Sequence, residues 1–376
     1  MKSFKAGFYV NQGYYKSFQP NLINKEWILD NPEVQLLLSQ ADQEIGKLDM
    51  FSNYIPNLNI FISMHILKEA TQSSKIEGTR TNIEEALLER DDIPVERRND
   101  YDEVQNYLTA MSYAIKRLET LPFSSRLIKE THKVLLQSVR GKHKTPGEFR
   151  KSQNWVGGAT INEAFFIPPV HTSILDMMSD IDKFANSEMN KLPDLIKIAL
   201  IHYQFETIHP FLDGNGRVGR LLITLYLVNK NILQSPILYL SDFFEKNRTN
   251  YYDNLTIVRE KDNINQWLKF FLVGVIETAR NSINTFNEIM LLQKEVDAKI
   301  QNLGSRTANA QKLINILYQI PAIKSTKVAQ LIETSPSTAI KLLKDLEAMN
   351  ILEEMTGMKR NKIYVFREYL ELFVDK

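Results

Sequence analysis

Two segments, from about Pro193 to Ile208 and from about Asn215 to Asn231, are apolar around most of their circumference. A helix of that kind cannot rest on a surface with one polar face in water, so both belong in a core and the rest of the chain must pack around them. In the first, Leu195, Ile198, Ala199, His202 and Phe205 form one stripe, and Ile196, Leu200 and Tyr203 widen it. Elsewhere apolar residues recur at three- and four-residue spacing, Gly (14) and Pro (13) are sparse among 376 residues, and period-2 alternation is rare before the C-terminus. A mainly α protein with few strands follows. At roughly 100 to 200 residues per domain, the length predicts two or three domains. There is no internal repeat and no low-complexity tract.

Local signals divide the chain into 1–115, 116–290 and 305–376. The first region reads as irregular to about Asn31 and helical thereafter. One helix runs from about Leu58 to Glu77 and stops at Gly78, which suits a left-handed C-cap. Thr81 and Glu84 have capping-box spacing and start another. In the second region a Gly/Pro-punctuated stretch, Gly141 to Pro169, contains the short apolar run Ala164 to Pro169, read as one strand of a hairpin. Gly304-Ser305-Arg306-Thr307 reads as a linker. Beyond it lie a helix from Gln311 to Ile320, a short one from Ser325 to Glu333, and a third that Ser335-Pro336 caps and that runs to about Asn350. Leu352 to Met355 and Lys362 to Phe366 flank Thr356-Gly357-Met358 as a hairpin. Three helices and a β-wing make a winged helix-turn-helix pattern.

The chemistry concentrates in the connection between the two core helices, His209-Pro210-Phe211-Leu212-Asp213-Gly214-Asn215-Gly216-Arg217-Val218-Gly219-Arg220. Pro210 ends the first helix and leaves His209 at its exit, where an imidazole can face a cleft. Asp213 offers a hard oxygen ligand suited to Mg²⁺. Gly214-Asn215-Gly216 leads into a helix N-terminus, whose N–H groups and positive dipole end can hold a phosphate. Arg217 and Arg220, three apart, offer guanidinium groups to phosphate oxygens. An ordinary turn would explain Gly-Asn-Gly alone; a base, an acid, an anion nest and two cations around one turn point to phosphoryl or nucleotidyl transfer.

The absence of cysteine excludes disulfides, thiolate metal sites and a Cys nucleophile, and fits the cytoplasm. No apolar leader opens the chain, and the longest apolar runs, such as Leu221 to Val228, fall short of the ~20 residues that span a bilayer, so no membrane association is expected. With 46 Lys+Arg against 45 Asp+Glu, nothing global favours nucleic acid. Locally, Lys324, Lys327, Lys341, Lys344, Lys359, Arg360, Lys362 and Arg367 can form a phosphate-binding face, interrupted by Asp345, Glu347, Glu353 and Glu354.

The central segment matches every fixed position of the Fic signature, H-x-F-x-[DE]-G-N-G-R-x-x-R, and so resembles the Fic family. The resemblance implies the Fic helical core with a short β-hairpin flap, and transfer of AMP from ATP-Mg²⁺ to a Tyr, Thr or Ser hydroxyl of a target protein, the chain itself included. It makes His209 the base, Asp213 the Mg²⁺ ligand, Gly214, Asn215 and Gly216 the anion hole, Arg217 a phosphate support and Arg220 the γ-phosphate partner. Gly147 to Arg150, Asn154 to Gly158 and Phe166 to Pro169 look like the family's flap, which registers a target segment by main-chain pairing. Arg248 to Leu255 is similar to a segment lining the nucleotide pocket, with Tyr251 or Tyr252 to stack on adenine.

Ser73-Ser74-Lys75-Ile76-Glu77-Gly78 fits the family's inhibitory motif, [ST]-x-x-x-E-[GN]. Ser73 and Glu77 share a helix face, and a carboxylate near a helix C-terminus opposes the dipole by roughly 0.3 to 1 kcal/mol, so it calls for a cation. By resemblance that cation is Arg220, which Glu77 would withhold from the γ-phosphate. Relatives also remove AMP through this glutamate, and others transfer phosphate, UMP or phosphocholine; the intact Gly214 to Arg217 favours AMP. A reading of another class is a DNA-binding regulator acting through the winged helix, a module that also serves as a protein dock or a homodimer surface.

Overall fold

A computed structural model describes residues 1, 3–53, 58–137, 142–187, 191–358 and 360–374. The chain opens with an antiparallel hairpin, β1 (Gly7–Asn11) and β2 (Lys16–Pro20), in which Gly7 faces Pro20 and Asn11 faces Lys16. Helices follow: α1 (Pro32–Asn53), α2 (Leu58–Ile76), α3 (Ile83–Ala86), α4 (Arg98–Leu118), α5 (Ser125–Leu135), α6 (Ile174–Asn186), α7 (Asp194–Ile208), α8 (Asn215–Asn229), α9 (Ser241–Lys246), α10 (Arg248–Lys261) and α11 (Ile264–Ile300). The C-terminal part comprises α12 (Thr307–Leu317), β3 (Ala322–Lys324), α13 (Ser325–Leu331), α14 (Pro336–Ala348), β4 (Glu353–Glu354), β5 (Ile363–Val365) and α15 (Arg367–Glu371), its strands antiparallel in the order β3-β5-β4.

The core is built on α7 and α8. Every residue of α7 from Leu195 to Ile208 is buried, and these two helices pack on each other, with α4, α5, α6 and α11 around them. Burying a polar group in such a core costs free energy unless it is bonded. His202 meets this condition: one ring nitrogen pairs with the Gly219 carbonyl at 2.9 Å, the other with the Tyr251 hydroxyl at 2.8 Å, and together they tie α7, α8 and α10. Trp267 of α11 donates to the Ala199 carbonyl at 2.8 Å. Helix α2, which carries Ser73, lies against α4, α8 and α9, anchored by buried Glu69. That carboxylate accepts from the Tyr107 hydroxyl and from both the hydroxyl and N–H of Ser241. No helix among the described residues is long and apolar enough to cross a membrane.

Several sequence expectations are corrected. The first 31 residues hold the hairpin β1–β2; its signal is hidden because Phe8 and Tyr9, adjacent in β1, are both exposed, so no apolar alternation arises. The cap of α3 is Asn82, whose Oδ1 accepts from Glu85 N at 2.8 Å, and not Thr81, which is buried with its hydroxyl unpaired. The run 164–169 is no strand: a single antiparallel bridge joins Val156 to Phe166, because Pro168 and Pro169 have no N–H to continue a ladder. Helix α12 begins at Thr307, inside the expected linker. Strand β3 and helix α15 were not anticipated. Gly141 and Lys359 lie outside the described residues.

Candidate active site

Helix α7 terminates at His209, whose backbone is left-handed (φ 50°, ψ 61°). A non-glycine residue pays strain there, and it persists only where its surroundings hold it. The holding groups are Arg150 and Asn154. Arg150 is buried and donates to the carbonyls of Ile208, His209, Ser152 and Pro169, while its N–H reaches Pro210 O at 2.9 Å. Asn154 Nδ2 donates to His209 O and Phe211 O. Within the turn, Asn215 Oδ1 accepts from Phe211 N at 2.8 Å and its Nδ2 returns to Phe211 O at 2.9 Å. The Asn215 side chain therefore closes the loop on itself, and only its backbone remains for an anion.

His132 supports the same loop. Its ring stacks on Phe211 at 3.7 Å. Because Gly147 N donates to Nδ1, Nε2 carries the proton and donates to Asp213 O at 3.0 Å. Burial lowers its pKa to about 4.

One cleft of ≈ 290 Å³ brings together His209, Asp213, Gly214, Asn215, Gly216, Arg220, Glu77, Tyr251 and Tyr252, a volume near the lower end of small-molecule sites, about 300 to 1,000 Å³. His209 Nδ1 faces the Glu206 carbonyl at 3.3 Å. A carbonyl only accepts, so Nδ1 bears the hydrogen and Nε2 is left as an acceptor. Burial brings the His209 pKa down to about 4, against the opposing pull of Glu77, so the ring is neutral at pH 7.

Arg220 does not face open space. Its side chain is 1% exposed and donates to Ser73 Oγ (2.9 Å), Ser73 O (2.8 Å) and Glu77 Oε1 (2.7 Å). Ser73 in the last turn of α2 and Glu77 just past its end thus clamp one guanidinium. Burial works to raise the Glu77 pKa, but Arg220, with Arg217 and His209, holds the carboxyl below its ordinary value. A Cβ on Gly216 would collide with the Glu77 carboxylate. An anion is therefore seated on the backbone at the N-terminus of α8, where dipole and N–H groups favour negative charge. Gly78 follows with φ +99° and lets the chain leave the helix.

Arg217 differs from its expectation. It is buried away from the cleft lining, 3.2 Å from Glu103 of α4 and 3.6 Å from Asp213 Oδ1, so it orients Asp213 across the turn. Of the two tyrosines, Tyr251 is buried, stacked on Phe244 at 4.5 Å with its hydroxyl on His202. Tyr252 is 39% exposed and is the ring available for stacking. The flap is pinned by Val156 N to Phe166 O at 2.8 Å, with Gly157 and Gly158 at positive φ and Trp155 and Phe165 exposed at its tip.

Two lining residues escaped the sequence reading. Arg259 lies 3.9 Å over the Phe166 ring. Glu206 is buried with one oxygen unpaired, and burial raises its pKa to about 7. Spacing could have found Glu206, one turn before His209 on α7; Arg259 sits in an unremarkable helix and carries no local signal. For a metal, Asp213 is the fitting donor: its side chain is 44% exposed at the cleft while Oδ1 takes the Gly214 N–H at 2.6 Å. Among the described residues no three His, Cys, Asp or Glu converge, and a site with one carboxylate suits Mg²⁺ held jointly with substrate phosphates.

Residues 35–116 match the Fic/DOC family N-terminal model and residues 122–227 the Fic/DOC family model, together half of the chain. The chain belongs to the Fic/DOC family. It is 28% identical over 221 residues to a protein adenylyltransferase Fic of Drosophila mojavensis, covering 57% of this chain and 41% of that protein. A protein of the same description from Drosophila grimshawi is 31% identical over 166 residues, 44% of this chain and 31% of that one. The chain thus spans less than half the length of these relatives. In structure it is similar to a Fic family protein from Desulfovibrio desulfuricans, with a TM-score of 0.58 and 19% identity over 91% of this chain and 98% of that one, which establishes the Fic helical fold.

Proposed function

We propose that the cleft binds ATP and transfers AMP to a Tyr, Thr or Ser hydroxyl of a protein, and that Glu77 holds this activity in check. The observation that carries the reading is the Glu77 carboxylate bonded to Arg220 and lying against Gly216. A site that seats one anion on a guanidinium and a helix N-terminus can seat a phosphate in its place. The names of the relatives support adenylyl transfer in particular.

In this reading His209 Nε2 takes the proton of the acceptor hydroxyl as that oxygen bonds to the α-phosphorus. The bond from the α-phosphorus to its bridging oxygen breaks, and pyrophosphate leaves. Asp213, oriented by Arg217, would hold Mg²⁺, whose charge offsets that of the phosphates. Backbone N–H groups at Gly214 to Gly216 receive developing negative charge without reorganising, and Tyr252 offers a ring to the base. Residues 1–115 carry the brake, 116–290 the core and 305–376 a winged helix-turn-helix unit.

The test is mass spectrometry of Glu77→Gly incubated with ATP, Mg²⁺ and candidate proteins. An AMP adduct on a hydroxyl residue, lost in the Glu77→Gly/His209→Ala double variant, is expected. An adduct formed only from UTP or CDP-choline, or none at all, rejects adenylyl transfer. A second reading, removal of AMP, draws on Glu77 being 36% exposed beside the cleft, where its free oxygen can reach water. If wild type and Glu77→Gly release AMP from a modified protein equally slowly, that reading fails.

A further inference from the structure

Residues 305–376 contain eleven Lys and Arg against eight Asp and Glu, whereas the stretch 84–92 holds five carboxylates and one cation, Arg90. The two regions meet. Lys324 Nζ lies 2.8 Å from Asp92 Oδ2 and 3.1 Å from Glu89 Oε2. Lys327 Nζ is 2.5 Å from Glu89 Oε1, and Arg367 Nη1 is 2.5 Å from Glu84 Oε1. These three cations belong to the face that sequence reasoning assigned to phosphates. Of the others, Lys362 pairs within the C-terminal unit with Glu354, and Lys341 and Lys344 are exposed on α14, opposite its buried Ala339, Leu342, Leu343 and Leu346.

The acidic stretch is also the continuation of the brake, since Glu84 stands seven residues beyond Glu77. At the far end of the same unit, buried Phe373 packs edge-on against His65 of α2, ring centroids 5.2 Å apart. The C-terminal unit therefore grips the inhibitory helix at its middle and just past its end.

We propose that duplex nucleic acid binds the face of Lys324, Lys327 and Arg367 in competition with Glu84, Glu89 and Asp92, and that its binding loosens α2 and withdraws Glu77 from Arg220. The loosening of a brake rests on the autoinhibition proposed above; the competition does not. A lysine held between two carboxylates cannot also serve a phosphate, so the closed brake and the occupied face exclude each other, and the coupling is reciprocal. The contacts open to displacement by degrees: Lys327 and Glu89 are 55% and 45% exposed, Lys324 and Asp92 only 21% and 29%, and Arg367 keeps a second partner in Glu353; the more exposed an ion pair, the weaker and more screened it is. A duplex presents a dense line of charge. Duplex is favoured over an acidic protein because Lys324 and Lys327 introduce α13, which is followed by the capped helix α14 and the β4–β5 hairpin, an order of elements that lays its second helix in a major groove.

The test uses the full chain, a fluorescent 20-base-pair mixed-sequence DNA duplex at low salt, anisotropy to read binding, and hydrogen exchange of residues 70–80 to read the brake. Wild type should bind the duplex and exchange faster in that segment when it does. Glu89→Gln/Asp92→Asn removes the carboxylates that hold Lys324 and Lys327, leaving Glu84 on Arg367, without adding a cation; it should bind roughly 3- to 10-fold tighter, the scale of losing weak surface pairs, and exchange faster even without DNA. Lys324→Glu/Lys327→Glu should lose binding. Equal duplex affinity of wild type and Glu89→Gln/Asp92→Asn overturns the competition, and binding with unchanged exchange overturns the coupling. Absence of duplex binding, or acceleration of exchange by polyglutamate alone, overturns nucleic acid as the partner. Neither readout requires AMP transfer, so failure of the catalytic reading would remain distinguishable.

Discussion

Replacing Glu77 with glycine tests the proposed autoinhibition directly. In the folded chain Arg220 is 1% exposed and has three contacts, two to Ser73 and one to Glu77 at 2.7 Å. A charge-assisted hydrogen bond contributes about 1.5–3 kcal/mol, and because the Glu77 side chain is 36% exposed, solvent screening places it nearer 1–2 kcal/mol. Two consequences share that origin. Stability should fall by about 1–2 kcal/mol, a melting shift of roughly 1–3 °C for a chain of 376 residues. The same free energy ceases to oppose a γ-phosphate at Arg220, so AMP transfer at sub-saturating ATP should rise about 5- to 30-fold. Glu77→Gln, which keeps the shape and removes the charge, should give an intermediate gain. The assay is incorporation of label from α-labelled ATP, alongside a thermal melt. A variant that melts lower as expected yet transfers within twofold of wild type would refute the idea that Glu77 and phosphate compete for Arg220.

His209→Ala should abolish transfer in the Glu77→Gly background while leaving ATP affinity within about tenfold, because the ring acts on the acceptor proton; isothermal titration separates the two. In that background the rate should show no acid limb near pH 6.5, since His209, with a pKa of about 4, stays a base throughout pH 5–8. Fully buried His132 and His202, with pKa values of about 4 and 3, remain neutral when folded but take up protons below pH 6.5 when unfolded. Stability should therefore fall as pH drops from 6.5 to 5, by up to about 2 kcal/mol each, read from urea melts. Arg150→Ala should release the carbonyls of residues 208 and 209, lowering kcat far more than it changes KM for ATP; the reverse pattern would make Arg150 a substrate contact.

Much of the site was legible because its chemistry is local. From His209 to Arg220 every functional group lies within a single turn between two helices, and helix periodicity is enough to put Asp213, Gly216 and Arg220 on one side of it. Ser73 and Glu77 were legible for the same reason, one helical turn apart. Illegible residues act across long separations: Arg150 and Asn154 reach the 208–211 carbonyls from more than fifty positions upstream, and Glu103 meets Arg217 across 114. The N-terminal hairpin was missed because a two-stranded sheet with one face in water shows no clean alternation when neighbouring aromatics are both exposed.

The amino-acid order by itself determined the helical core, the reactive turn and the pairing chemistry of Glu77 with a cation, because propensity, apolar periodicity and short motifs depend on neighbours in the chain. Only the tertiary structure decided which cations are already occupied. Arg217 turned inward to Glu103, Arg220 closed on Ser73 and Glu77, and Lys324, Lys327 and Arg367 went to the acidic stretch beyond Glu77 instead of to solvent. Charge has no sequence range of its own: it is neutralised by whichever opposite charge the packed helices bring within a few ångströms, and that depends on how α2, α4 and the C-terminal unit dock on the core.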